Sequence, residues 1–131
     1  MSSLKCLVVD DSGITRRILV NSLRAIGFTT IVEAVDGEQA LKVCTPDVDV
    51  VVTDWNMPGM SGVELVRSLR ANPELAAIPV ILITARSGKD DVIEAAGVGV
   101  NGYVIKPFTP EVLRAKIEDV MSGPRATGTD G

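Results

Sequence analysis

The sequence predicts an α/β protein built on a parallel sheet. Three observations carry this prediction. Short apolar, β-branched runs alternate with segments of helical spacing, five times over. The runs are almost continuously apolar, as strands buried on both faces are. Four of the five runs end in Asp, Thr or Lys, at the carboxyl end where open α/β sheets place their ligands.

The first run, residues 4–9, is interrupted only by Lys5 and ends in Asp10-Asp11-Ser12-Gly13. Ile14, Ile18, Leu19, Leu23 and Ile26 then recur at helical spacing, with Arg16, Arg17 and Arg24 off that stripe, and Gly27 stops the helix. Residues 29–34 are rich in β-branched side chains and form the second strand. Asp36-Gly37-Glu38-Gln39 resembles a capping box opening a helix through Val43. The valine run 48–54 is the third strand, ending in Asp54 before a Pro58-Gly59 turn. Ser61-Gly62-Val63-Glu64 opens a helix with Val63, Val66 and Leu69 on one face, closed by Asn72-Pro73.

Residues 80–84 form the fourth strand. Residues 87–96 are a weak helix without a strong apolar stripe, followed by Gly97 and Gly99. Residues 102–105 are a short fifth strand. Pro110 opens the last helix at its favoured first position, and the helix runs to about Met121. The expected domain is 1–121, and residues 122–131 form a polar tail expected to be disordered. Five such units make a doubly wound, five-stranded sheet with helices on both faces, a three-layer αβα sandwich. Its strand order, 2-1-3-4-5, is taken from known flavodoxin-like proteins.

Composition narrows the function. At 131 residues the chain fits one domain, and a hydrophobic share of 46% with mean hydropathy +0.29 excludes a disordered chain. No apolar run approaches the ~18 residues of a membrane span, and the N-terminus lacks a signal-peptide core, so a cytoplasmic protein is expected. With net charge −4 and no basic block, nucleic-acid binding is not expected. The two cysteines, Cys6 and Cys44, read as buried free thiols. The chain has no histidine, which removes the usual general base and zinc ligand. Any chemistry must come from carboxylates, hydroxyls, lysine and a metal.

In the 2-1-3-4-5 order, strands 1 and 3 are neighbours, so Asp10, Asp11 and Asp54 converge. Three close carboxylates repel, and a divalent cation removes the penalty. An oxygen donor set without His or Cys selects a hard ion, here Mg²⁺. Thr84 and Lys106 end the neighbouring strands and point into the same pocket. A hydroxyl and an ammonium opposite a metal suit a phosphoryl group. The site therefore reads as nucleophile Asp54, Mg²⁺, donor Thr84 and counter-charge Lys106. Each residue also has a plainer explanation. Asp54 can start a turn, Asp10 or Asp11 can cap a helix, Thr84 can be an ordinary strand residue, and Lys106 a solvated lysine. Tyr103 can be a core aromatic. Their conjunction at one sheet edge favours the site.

The motifs Val8-Val9-Asp10-Asp11-Ser12, Asp54-Trp55-Asn56-Met57-Pro58-Gly59-Met60-Ser61-Gly62, Ile83-Thr84-Ala85 and Tyr103-Val104-Ile105-Lys106-Pro107-Phe108 resemble those of response-regulator receiver domains. The likeness is to the free-standing chemotaxis (CheY-like) type and spans about residues 4–121. It implies that Asp54 accepts a phosphoryl group from a CheA-like histidine kinase. It implies Mg²⁺ ligation by Asp11, Asp54 and the backbone carbonyl of Asn56, with Asp10 acting mainly through water. It further implies that Thr84 turns toward the phosphoryl oxygen and that Lys106 pairs with it. Tyr103 would then swing inward over the small Ala85, and the Lys106–Pro107 bond would be cis.

The readout surface is expected over residues 87–118, where Asp90, Asp91 and Glu94 are contact candidates. The output would be protein contact, with the flagellar motor switch as leading target. A phosphorelay shuttle, or control of another enzyme or kinase, is the alternative. A monomer that serves as phosphoacceptor, not a turnover enzyme, is expected. Arg86 departs from the pattern, standing where an acid is common; with Asn56 it flanks the path of a water attacking the acyl phosphate.

Two other classes compete. A flavodoxin would need a Ser/Thr-rich phosphate cradle after strand 1, where this chain has Asp10 and Asp11. A phosphohydrolase of the haloacid-dehalogenase kind carries a second Asp two residues after its nucleophile; here Ser12 and Gly13 occupy those spacings.

Overall fold

The computed structural model describes residues 4–122. Ten elements alternate: β1 (Lys5–Val9), α1 (Gly13–Ile26), β2 (Thr30–Ala34), α2 (Gly37–Val43), β3 (Val50–Asp54), α3 (Gly62–Ala71), β4 (Val80–Thr84), α4 (Lys89–Gly97), β5 (Gly102–Ile105) and α5 (Pro110–Ser122). All strand pairs are parallel and the order is β2-β1-β3-β4-β5, as expected.

The apolar strands divide their side chains between two layers by the period of two. Cys6 and Val8 of β1, Val50 and Val52 of β3, and Ile81 and Ile83 of β4 pack with Leu19 and Leu23 of α1 and Leu113 and Ile117 of α5. The alternate residues Leu7, Val9, Val51 and Val80 pack with Ala40 of α2 and Leu65, Val66 and Leu69 of α3. β3 and β4 are buried throughout. Burying each Leu, Ile or Val contributes roughly 1.5–3 kcal/mol, so the two faces together hold the sheet.

Several local expectations change. Ile14 and Ile18 are 79% and 52% exposed, and Val20 joins Leu19 and Leu23 in the core. At about 100° per residue, Ile14 and Ile18 fall on the side of α1 away from Leu23. Arg16 instead lies on the inward flank. At α2, Asp36 accepts from the Gln39 amide at 2.8 Å, but the Gln39 side chain accepts from the Val35 amide, one residue before the cap. The Ser61–Glu64 capping box forms in full, with bonds of 3.1 and 2.9 Å. Ser122 belongs to α5 rather than to a tail; the rest of that tail lies outside the described residues.

The register fixes the site edge. Val9 lies opposite Ala34 and Thr53, Asp54 opposite Ile83, and Thr84 opposite Ile105. Asp10, Asp54, Thr84 and Lys106 therefore end up side by side.

Candidate functional site

Asp54 closes β3 with its side chain 11% exposed. Its Oδ1 accepts the Trp55 amide at 2.7 Å, and its Oδ2 accepts Lys106 Nζ at 3.0 Å. Lys106 follows β5, and its own amide donates to the Thr84 carbonyl at 2.8 Å, which fixes where the ammonium starts. The lysine is half-buried and paired, not freely solvated. The Lys106–Pro107 bond is cis.

Asp10, Asp11 and Asp54 each offer a carboxylate oxygen within 4.8 Å of the others. Asp10 is 1% exposed; its Oδ1 accepts the Ser12 amide at 2.9 Å, while its Oδ2 is buried without a hydrogen-bond partner. Burial raises the Asp10 carboxyl above its ordinary value, and the charges of Asp54 and Asp11 add to that. The Ser12 amide and Lys106 pull the other way. Neither Asp10 nor Asp11 caps α1: Ser12 does, accepting the Thr15 amide at 3.3 Å. An orphaned buried carboxylate oxygen beside two further acids is what a hard cation would satisfy, so the all-oxygen set fits Mg²⁺. Asp10, Asp11 and Asp54 are the side chains whose geometry could hold it.

Thr84 is fully buried, and its hydroxyl oxygen accepts the Arg86 amide at 3.1 Å. Ala85 beside it is exposed. Tyr103 is half-buried; its hydroxyl donates to the Arg86 carbonyl at 2.8 Å, and its ring meets Trp55 edge-on at 6.5 Å. Burial raises the Tyr103 phenol, aided by Asp91 and opposed by Arg86.

Arg86 and Asn56, singled out as flanking residues, are joined directly. Arg86 Nε and Nη2 donate to Asn56 Oδ1 at 3.3 and 3.0 Å, and Nη1 donates to Asp91 Oδ1 at 3.3 Å. The guanidinium lies over the Trp55 ring, 4.4 Å from its centre.

Two participants were not read from sequence. Arg16 Nη1 donates to the Asp10 carbonyl at 2.7 Å, while its Nε pairs with Glu33 at 2.9 Å. Arg16 thereby ties the end of β1 to β2. No local pattern announces this, because Glu33 is far along the chain. Gly62 donates its amide to the Trp55 carbonyl at 2.8 Å, and a Cβ there would fall 2.2 Å from the Asp54 carbonyl oxygen. A glycine just after an N-cap was the available signal.

A parallel αβα fold with an acid trio, a lysine, a threonine and a cis Lys-Pro bond at one sheet edge defines a class, and the comparisons agree. The chain belongs to the response regulator receiver domain family, whose model matches residues 6–118. Among curated relatives, it is 51% identical to the chemotaxis protein CheY of Pseudomonas aeruginosa, over 90% of this chain and 96% of that one. It is 48% identical to CheY-3 of Vibrio cholerae, over 91% and 92% of the two chains. Among solved structures, chemotaxis response regulator CheY4 of Vibrio cholerae superposes with a TM-score of 0.81 at 31% identity, covering 90% of this chain and 98% of that one. The signal receiver domain of a histidine kinase from Syntrophus aciditrophicus gives 0.82 at 29% identity, covering 98% and 96%.

Proposed function

We propose that this protein is a single-domain response regulator in which Asp54 accepts a phosphoryl group from the phosphohistidine of a kinase, with chemotaxis as its pathway. The observation that carries this is Asp54 itself. It is held by the Trp55 amide and Lys106, within reach of two further acids, one of which has a buried, unpartnered oxygen. A carboxylate oxygen of Asp54 forms the new P–O bond as the P–N bond of the donor breaks, and the electron pair stays on the imidazole nitrogen. The Lys106 ammonium starts on Asp54 Oδ2 and is placed to follow the charge onto the phosphoryl oxygens. Bound Mg²⁺ would supply charge neutralisation and orientation. Thr84 trades its bond from the Arg86 amide for one it donates to a phosphoryl oxygen. Hydrolysis returns inorganic phosphate and the free carboxylate.

The new group adds roughly −1.5 to −2 charges, and its differential contacts with Thr84 and Lys106 bias the β4–α4 loop and Tyr103. The output is protein contact through α4, β5 and α5. This fits the exposed apolar residues there, Val92 at 40%, Ile93 at 58%, Ile105 at 45% and Val112 at 50%. The names of the relatives support a chemotaxis role; within it, the flagellar motor switch is our leading target and a CheA-like kinase the donor, as the resemblance to CheY-like receivers implies. The likeness to a receiver domain of a histidine kinase supports a phosphorelay role as the second reading.

Trp55, the chain's one tryptophan, adjoins Asp54 and tests the reading. Its fluorescence changes with Mg²⁺ and again with acetyl phosphate, while intact mass reports one phosphoryl group. Asp54→Asn abolishes the second change and the mass gain. If that variant responds like the wild type, Asp54 is not the acceptor.

A further inference from the structure

Helix α4 is attached to the molecule differently from its neighbours. It buries Ala95 alone, and its N-cap Gly88 offers no side chain to the first turn. Helices α1, α2 and α3 each have a side-chain cap, from Ser12, Asp36 and Ser61. Two arginines from outside the helix serve its two ends instead.

At the C-terminal end, Arg70 of α3 donates to the Gly99 carbonyl from Nε at 3.2 Å and from Nη2 at 2.7 Å. Its Nη2 also donates to Asn101 Oδ1 at 2.8 Å, and its Nη1 donates to the Ala76 and Ile78 carbonyls at 3.0 and 2.7 Å. Asn101 Oδ1 accepts in addition the Val80 amide of β4 at 2.8 Å. Arg70 is half-buried, and these partners are neutral oxygens, mostly backbone, whose positions the fold fixes. At the N-terminal end, Arg86 reaches Asp91 in the first turn and Asn56 in the loop that follows Asp54, with Trp55 beneath it. The Arg86 side chain is 41% exposed and that of Asp91 30%. Exposed ion pairs hold weakly, and a phosphoryl group of roughly −1.5 to −2 charges is a stronger partner for a guanidinium than the single charge of Asp91 or the neutral Asn56 amide.

We propose that Arg86 is a positioning residue coupling the Asp54 loop to α4, and that Arg70 is the fixed pivot about which the N-terminal end of α4 moves when Asp54 is phosphorylated. This rests on the phosphoacceptor reading for its trigger only; the two clips are features of the resting protein. Phosphorylation places a competing anion beside the Asn56 loop, draws Arg86 from Asp91, and frees the uncapped first turn. The Arg70 end has no anionic partner to lose and stays in place.

Amide hydrogen exchange on the full chain with Mg²⁺ tests this. Without phosphodonor, Arg86→Gln speeds exchange of the first bonded amides, residues 92–94, about tenfold and leaves 97–101 unchanged, whereas Arg70→Gln does the reverse. Arg86→Lys, which keeps the charge but not the fork, lies between. Wild type treated with acetyl phosphate loosens 92–94 alone. Arg86→Gln, compared at the same labelled fraction by intact mass, shows no further loosening. If Arg70→Gln does not fold, Arg70→Lys supplies that arm. Unaltered protection of 92–94 in Arg86→Gln overturns the proposal, as does equal loosening of 97–101 on phosphorylation. Absence of label on wild-type Asp54 overturns the phosphoacceptor reading instead, and the arms without phosphodonor still decide the clips.

Discussion

At the scale of single residues, the charge balance of the acid trio has a measurable cost. Asp10 is buried with one oxygen unsatisfied, and two further carboxylates stand against it. In metal-free protein, Asp10→Asn is expected to raise the melting temperature at neutral pH, because it removes an uncompensated buried charge. The pH dependence has a definite sign. The Asp10 carboxyl binds its proton more tightly folded than unfolded, so its contribution is most favourable below the ordinary value of 3.8. That contribution is lost as pH rises through the raised folded value. Melting curves in EDTA across acidic pH, wild type against Asp10→Asn, show the gap widening with pH.

The placement of Asp10, Asp54, Thr84 and Lys106 at one sheet edge was legible because each ends or directly follows a strand, with Asp11 beside Asp10. Arg16 was not, since its partners, the Asp10 carbonyl and Glu33, come from separate strands. Arg86 was legible as an anomaly, but its seat on Trp55 depends on the path of the β4–α4 loop.

At the scale of elements, α3 links helix capping to the site. The reciprocal Ser61–Glu64 bonds predict that Ser61→Ala costs about 1 kcal/mol in denaturant unfolding. Gly62→Ala acts differently. Its Cβ meets the Asp54 carbonyl at 2.2 Å and Leu82 Cδ1 at 2.9 Å, so backbone must move. We expect a larger loss of stability, together with a weaker Trp55 response to Mg²⁺, whereas Ser61→Ala keeps that response. Strand positions followed from β-branched runs and turn residues, and α3 from its cap. The face of α1 was misjudged because counting Ile14 and Ile18 as core ignores that Val20 and the stem of Arg16 compete for the sheet.

At the scale of the whole molecule, the two core layers make the thiols inert. Burial raises both Cys6 and Cys44 above the ordinary thiol value. Native protein is expected to resist a thiol reagent at mildly alkaline pH, with Cys44 reacting before Cys6 and both reacting at once in denaturant. Mg²⁺ at 100 times its dissociation constant should stabilise the fold by about 2.7 kcal/mol, an increment that EDTA removes and Asp54→Asn reduces. Topology was legible from the alternation alone, while the strand order needed the known arrangement of such folds.

The parallel crossovers carry a consequence for how the protein is made. Asp10, Asp54, Thr84 and Lys106 end or directly follow four different strands, and Lys106 is the last of the four in chain order. A nascent or proteolysed chain lacking that last βα unit carries the acids without their cation. The site is therefore complete only once β5 has joined the sheet, and a fragment without it is expected to lack the lysine that pairs with Asp54.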